Sequence, residues 1–355
     1  MKTWHIVAPE YPPRCGGVGD YTALLAGGLS VAGDRVTVWH PGVLPDRFGS
    51  HSREVMRSAL ARQPGILLVQ YVPSAVGLRG LNVPFCRWLA RLAHGGVDVR
   101  VMFHEPFFYY GWQRPWRNVL ALVQRRMAAM LLRSATRVYY STESWQRLLE
   151  PYGAPLSAEV LPIPATIPVD VADGTVAHLK ARFLGEPLIG HFGTYGEHVA
   201  ELLARVVPPI LAQLPGARVL LTGRGATTFL QQLGGTALGR VDVLDNHEGA
   251  SIAAALRACD ILVQPFPDGV TTRRTSMMAA LSSGRPVVTT RGELTEPVWD
   301  DEAVVMAPAG QMDSFVEEVT RLASDASRRR TIGMRGRQLY DERFALAGTI
   351  GRIRR

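Results

Sequence analysis

The sequence predicts an α/β protein of two consecutive halves, each a parallel sheet covered by helices on both sides. Three observations carry this. Short apolar runs alternate with segments of helical period along most of the chain. Several of those runs are apolar on both faces, as buried parallel strands are. A proline-rich interruption then divides the alternation into two series. At 355 residues the chain has room for two domains, on a prior of roughly 150 residues each. A hydrophobic fraction of 47% against 20% charged residues is enough for real cores and excludes general disorder.

The first series opens with a strand at residues 4–8 and a Pro/Gly-rich loop over 11–20. A helix is expected at 21–31 and a second strand at 35–39. Further strands follow at 66–71 and 99–104, then a long helix over 116–134 and a strand at 137–141. Pro151, Pro155, Pro162, Pro164 and Pro168 make the next stretch extended. The alternation restarts with a strand at 188–192, a helix at 197–214 and strands at 218–222 and 241–244. It continues with a helix at 251–257, a strand at 261–265, a helix at 276–283, a strand at 286–290 and basic amphipathic helices from 312 onward. The expected domains are 1–165 and 166–340, with 341–355 as a helix crossing back to the first. Ligand is expected in the cleft between the halves, outside the carboxyl ends of the strands.

The formal charge of +8, mostly arginine, suits an anionic partner or serves solubility. Cys15, Cys86 and Cys259 are widely spaced, so neither a disulfide framework nor a structural zinc site is indicated, and a reducing compartment fits. The first residues run straight into a strand without the apolar core of a signal peptide. No apolar run approaches the ~20 residues that cross a bilayer. A cytoplasmic protein, at most peripheral to the inner face of a membrane, is expected.

Three segments carry chemistry. Cys15-Gly16-Gly17-Val18-Gly19-Asp20 lies between the first strand and helix, where adjacent glycines let backbone amides approach a phosphate. It is a poor dinucleotide fingerprint, because Thr22 stands at the third glycine position and no acid ends the second strand to hold a ribose. The ordinary alternative is a glycine turn. His104-Glu105 ends an apolar strand, the usual place for reacting groups. His104 would donate a hydrogen bond to a ligand hydroxyl, and Glu105 would orient it or bind hydroxyls itself, unless the histidine merely caps the strand. Asp268-Gly269-Val270-Thr271-Thr272-Arg273-Arg274-Thr275-Ser276 joins a buried strand to a helix. Its hydroxyls, guanidinium groups and free helix amides suit an anion site; the ordinary alternative is an N-capped surface helix with solvated arginines.

The opening loop, with its prolines and Gly16-Gly17, resembles the start of the retaining glycosyltransferases called family 4, or group 1, of the GT-B fold. Asp260-Ile261-Leu262-Val263-Gln264-Pro265 and Gly284-Arg285-Pro286-Val287-Val288 resemble that family's second domain. The resemblance implies transfer of a sugar from a nucleotide diphosphate donor to a hydroxyl, with retention and without a metal or other cofactor, as in polysaccharide biosynthesis. It places Gly16 and Gly17 at the donor diphosphate and His104 beside the donor sugar. Two departures stand out. The family's pair of glutamates falls on Thr271 and Ala279, with Asp268 near the first. The loop Gly193-Thr194-Tyr195-Gly196 lacks the usual arginine and lysine, a task for which Arg273 and Arg274 are the substitutes. Arg224, in Gly223-Arg224-Gly225, is a further phosphate candidate, with a simple turn as the equal alternative, and 245–248 is where the family's backbone holds the base.

Trp112, Arg114, Trp116, Arg117, Arg125, Arg126, Arg133 and Arg137 lie among Leu, Val and Met. Such a basic amphipathic helix suits a lipid interface and a lipid-linked acceptor. The alternative is a packed helix whose arginines form its wet face. Other readings are a catalytically inactive GT-B-like protein that binds a nucleotide sugar or a partner, and a nicotinamide oxidoreductase, which the missing ribose acid disfavours. Nucleic-acid binding is not expected, since no motif supports it.

Overall fold

A computed structural model describes residues 1–13, 16–73, 77, 80–111, 116–184, 186–234, 239–244, 248–299 and 302–355. The chain forms two compact units: Met1–Pro162 with Thr349–Arg355, and Ile163–Gly348.

The first unit is built on β1 (Thr3–Val7), β2 (Arg35–Trp39), β3 (Ile66–Tyr71), β4 (Val99–Phe103), β5 (Arg137–Tyr140) and β6 (Ala158–Val160). They make one parallel sheet in the order β2-β1-β3-β4-β5-β6. β3 and β4 are buried along their whole length, which is why both read as unbroken apolar runs. The helices are α1 (Gly17–Val31), α2 (Ser50–Arg62), α3 (Val83–His94), α4 (Trp116–Ser134) and α5 (Glu143–Leu149).

Two sequence expectations change here. The loop expected over 11–20 ends early, because α1 begins at Gly17 with Gly16 as its N-cap. Glycine disfavours helix, but Asp20 lies in the first turn, where a carboxylate complements the helix dipole. Gly19 also packs closely on Glu10: a Cβ there would lie 3.3 Å from the Glu10 carbonyl carbon, a tight contact. Nor do arginines alone make the wet face of α4. Trp116, Val119 and Leu122 are exposed there, whereas Arg125 is buried, donating to the carbonyls of Phe108 and Ala121 and stacking on the Phe107 and Tyr110 rings.

In the second unit α6 (Asp173–Arg182) precedes β7 (Leu188–Phe192), α7 (Glu197–Gln213), β8 (Arg218–Thr222), α8 (Ala226–Leu233), β9 (Val241–Leu244) and α9 (Gly249–Ala258). Then come β10 (Ile261–Gln264), α10 (Thr275–Ser282), β11 (Val287–Arg291), β12 (Val305–Pro308), α11 (Met312–Ser324), α12 (Ala326–Arg343) and α13 (Leu346–Ile353). The sheet is again wholly parallel, in the order β12-β11-β10-β7-β8-β9. Its two faces carry separate apolar layers, one under α9 and α10 and the other under α7 and α11. Both orders are doubly wound and reverse direction once, between β1 and β3 in the first unit and between β7 and β10 in the second.

From Thr349 the chain belongs to the first unit. Arg354 donates to the buried carboxylate of Asp34 at 2.8 Å, Arg352 to Glu159 at 3.0 Å, and the Ile353 carbonyl accepts from the buried guanidinium of Arg100 at 2.7 Å.

Candidate functional site

Where a doubly wound sheet reverses, the loops on the two flanking strands part and leave a crevice at the carboxyl ends. In the second unit those strands are β7 and β10, paired through Ile189 with Ile261 and Gly190 with Leu262. The loops that follow them are Gly193–Gly196 and 265–274, both singled out by the sequence. Gln264, the last residue of β10, donates to the Phe192 carbonyl at 3.0 Å and ties the two strand ends together.

After β10, Gly269 turns with φ +89° against Gly292 and Thr295, a conformation that favours glycine. The Val270 amide then bonds the Thr290 carbonyl at 2.9 Å. Thr271 is fully buried, and its hydroxyl has no hydrogen-bond partner among the described residues. Thr272 is held by Glu296, a carboxylate only 1% exposed. Glu296 accepts from the Thr272 amide at 2.5 Å, from its hydroxyl at 2.7 Å and from the Trp299 indole at 3.4 Å. Arg274 and Arg273 both donate to Asp268, at 2.6 and 3.3 Å, and Arg274 lies over the Phe266 ring. Asp268 is therefore the ion-pair partner of the two arginines, which leaves this trio with one net positive charge. α10 starts at Thr275 with no acid in its own first turn, so no carboxylate of the helix itself offsets its positive end.

The β7 side supplies shape rather than charge. His191 is 1% exposed and stands edge-on to Tyr195 at 4.9 Å; burial lowers its pKa to about 3. Tyr195 takes φ +50° and donates to the Thr222 carbonyl at 3.2 Å. Gly223, at φ +102°, lies so close to the Gly193 carbonyl that no side chain fits. Gly193 and Thr194 thus pack beside the loop that carries the exposed Arg224. Of the base-holding segment only Glu248 is described; 245–247 lie outside the described residues, as do Cys15, Trp112 and Arg114.

In the first unit the reversal lies between β1 and β3, beside the start of α1. There Gly16 is extended, with φ −172°, and accepts the Asp20 amide at 2.9 Å. Glu10 places its carboxylate where a Gly16 side chain would be, so an acid of the chain itself lies beside the positive helix end. Gly17 has open space around it. His104, just beyond β4, is 8% exposed. Its Nε2 meets Gln70 Oε1 at 2.7 Å, its carbonyl accepts from Trp145 at 2.8 Å, and Tyr21 of α1 stands edge-on at 5.4 Å. Burial lowers its pKa to about 3, so near neutral pH it is an uncharged imidazole that offers a hydrogen bond rather than a charge. Glu105 is exposed.

Each unit thus gathers its own set: Gly16, Gly17 and His104 in the first, and Gly193, Thr194, Arg224 and 268–275 in the second. Sequence reasoning misses Gln70, Glu296, His191 and Gln264. Three of these four have a signal, a polar residue at or near the end of an otherwise apolar strand: "ILLVQY", "LIGHF" and "ILVQ".

Residues 186–325, which lie within the second unit, match the family model described as Glycosyl transferases group 1. No curated protein sequence matches the chain significantly. Among solved structures, sucrose-phosphate synthase from Thermosynechococcus elongatus superposes with TM-score 0.75 at 14% identity, covering 99% of this chain and 97% of that one. HepE of Anabaena, solved with UDP-glucose, gives TM-score 0.69 at 15% identity over 100% and 98%. WaaG, described as a glycosyltransferase of lipopolysaccharide biosynthesis, gives 0.66 at 13% identity over 99% and 98%. At these identities the likeness shows the fold, and the fold is GT-B.

Proposed function

We propose that this chain is a glycosyltransferase moving a hexose-type sugar from a nucleoside diphosphate donor to a hydroxyl acceptor, whether glycan, lipid-linked or small molecule. One observation carries the reading. In the unit whose sequence matches group 1 glycosyltransferases, the Arg273–Arg274 pair and the start of α10, which has no acid in its first turn, follow β10, the strand paired with the one that leads into the Gly193–Gly196 loop, at the reversal of the sheet. A nucleotide sugar as donor is supported by HepE, a protein of the same fold solved in complex with UDP-glucose. Charge building on the departing diphosphate is met by the α10 amides and the two guanidinium groups, groups already oriented before reaction. The reaction needs no metal in this reading, and retention follows from the family resemblance. His104, neutral and fixed by Gln70, would donate to a sugar hydroxyl. Buried free Cys86 and Cys259 support action in a reducing cytoplasm.

The test is titration calorimetry with a panel of nucleoside diphosphates and their sugars, followed by Arg273→Ala/Arg274→Ala. One nucleotide should bind, and the double variant should weaken it about 100-fold, the loss of two charge-assisted hydrogen bonds, with the unliganded melting temperature nearly unchanged. Unaltered affinity in the double variant overturns the assignment. A second reading, an inactive nucleotide-sugar binder, is favoured by buried Thr271 and Ala279, which stand where the family carries carboxylates. Release of free sugar from the bound donor, with or without acceptor, excludes it.

A further inference from the structure

The outward face of α4 is the feature of the first unit that donor chemistry does not use. Its buried side, Ala121, Gln124, Met127, Ala128 and Leu131, packs on the core. On the opposite side Trp116, Val119 and Leu122 stand 63%, 64% and 47% exposed, and the same face continues into exposed Arg126 and Arg133. The stripe runs roughly 25 Å along the helix, at 1.5 Å per residue. Exposed Tyr109 and Tyr110 lie on the segment bound along α4, through Gly111 to Asn118 and Phe108 to Gln124.

Charge selects among the possible occupants of this face. α4 has four arginines and no Asp or Glu. The packed neighbour α3 exposes Arg87 and Arg91 and also lacks acids. Arg126 and Arg133 form no ion pair among the described residues. Two copies of such a surface would repel each other, while an anionic bilayer attracts the exposed arginines, Arg125 being buried, and takes the apolar side chains into its interface. No described helix is long and apolar enough to cross a membrane, so contact of this kind lies along the surface.

We propose that α4 docks the first unit on an anionic phospholipid surface, with Trp116, Val119 and Leu122 entering the headgroup layer and Arg126 and Arg133 pairing with lipid phosphates. Docking of this kind does not depend on the donor assignment, because nucleotide binding and vesicle binding are separate readouts.

The test is flotation of the intact chain with vesicles of phosphatidylcholine alone and of phosphatidylcholine with phosphatidylglycerol. The protein should float with the anionic vesicles, less so as salt rises, and hardly at all with the neutral ones. Val119→Asp/Leu122→Asp and Arg126→Gln/Arg133→Gln should each lower partitioning about tenfold or more. Because these side chains are exposed, nucleotide affinity and melting temperature should not change. Brominated anionic lipid should quench tryptophan emission, less so in Trp116→Phe, a variant with minimal disturbance to folding. Failure to float with anionic vesicles overturns the proposal, as does undiminished flotation of both double variants. A dimer that dissociates in Val119→Asp/Leu122→Asp would assign the face to a second copy and overturn it equally.

Discussion

Thr272 keeps the loop after β10 in shape through a partner far along the chain. Its amide and hydroxyl both donate to Glu296, a buried carboxylate that also receives the Trp299 indole. Glu296→Ala strands these donors away from water, and buried hydrogen bonds to a charged group are worth about 1.5–3 kcal/mol each. Urea unfolding should therefore show a loss of about 3 kcal/mol. Glu296→Gln, which keeps a carbonyl for the amide, should lose roughly 1 kcal/mol. Equal stability of wild type and Glu296→Ala would remove Glu296 from this role. The Thr-Thr-Arg-Arg run is legible in the sequence because hydroxyls and guanidinium groups between a strand and a helix announce an anion site. Glu296 is not, because α10 and β11 both lie between it and Thr272, and no spacing rule reaches across a helix and a strand. Asp268 is visible as an acid, but its pairing with both arginines emerges only from the turn at Gly269.

At the level of elements, the two sheets use the same device. Each ends a central strand with a buried histidine set edge-on to a tyrosine: His104 with Tyr21, and His191 with Tyr195. Burial lowers both pKa values from 6.5 to about 3, so the unfolded chain binds these protons more tightly than the native one. The stability that depends on neutral rings is complete above about pH 6.5 and is lost as pH falls towards about 3, with a slope of roughly 1.4 kcal/mol per pH unit for each ring. His191→Asn should flatten the pH dependence of unfolding between those limits by about one proton; an unchanged slope would show that His191 titrates normally. The strands are legible because an apolar run between turns leaves few alternatives. The start of α1 is not, because its clustered glycines argue against helix, although the helix begins at Gly17 with Glu10 packed close to Gly16 and Gly19. The wet face of α4 is hidden for a related reason: tertiary contacts with Phe107, Phe108 and Tyr110 bury Arg125, a residue whose type suggests exposure.

For the whole molecule, the second unit is inserted into the first, whose final piece is Thr349–Arg355. That piece buries Ile350 and Ile353 and completes Asp34. Burial works to raise the Asp34 pKa, but hydrogen bonds from the Lys2 amide, Trp4 and Arg354 hold it below the usual carboxylate range. Removal of residues 349–355 should destabilise the first unit by about 3–5 kcal/mol, the combined effect of lost apolar burial and an uncompensated buried charge. In a thermal scan the transition of the first unit should move down while that of the second stays in place. Two transitions that move together would contradict the division into units.

The strap on Asp34 also bears on the order in which the molecule is made. Asp34 and Arg100 leave the ribosome early, yet Arg354 follows 320 residues after the first and Ile353 follows 253 residues after the second. The second unit, contiguous from Ile163 to Gly348, has all its residues before those contacts exist. Vectorial synthesis therefore makes every residue of the second unit before the first is complete, and the earlier-made unit waits for its last turn of helix.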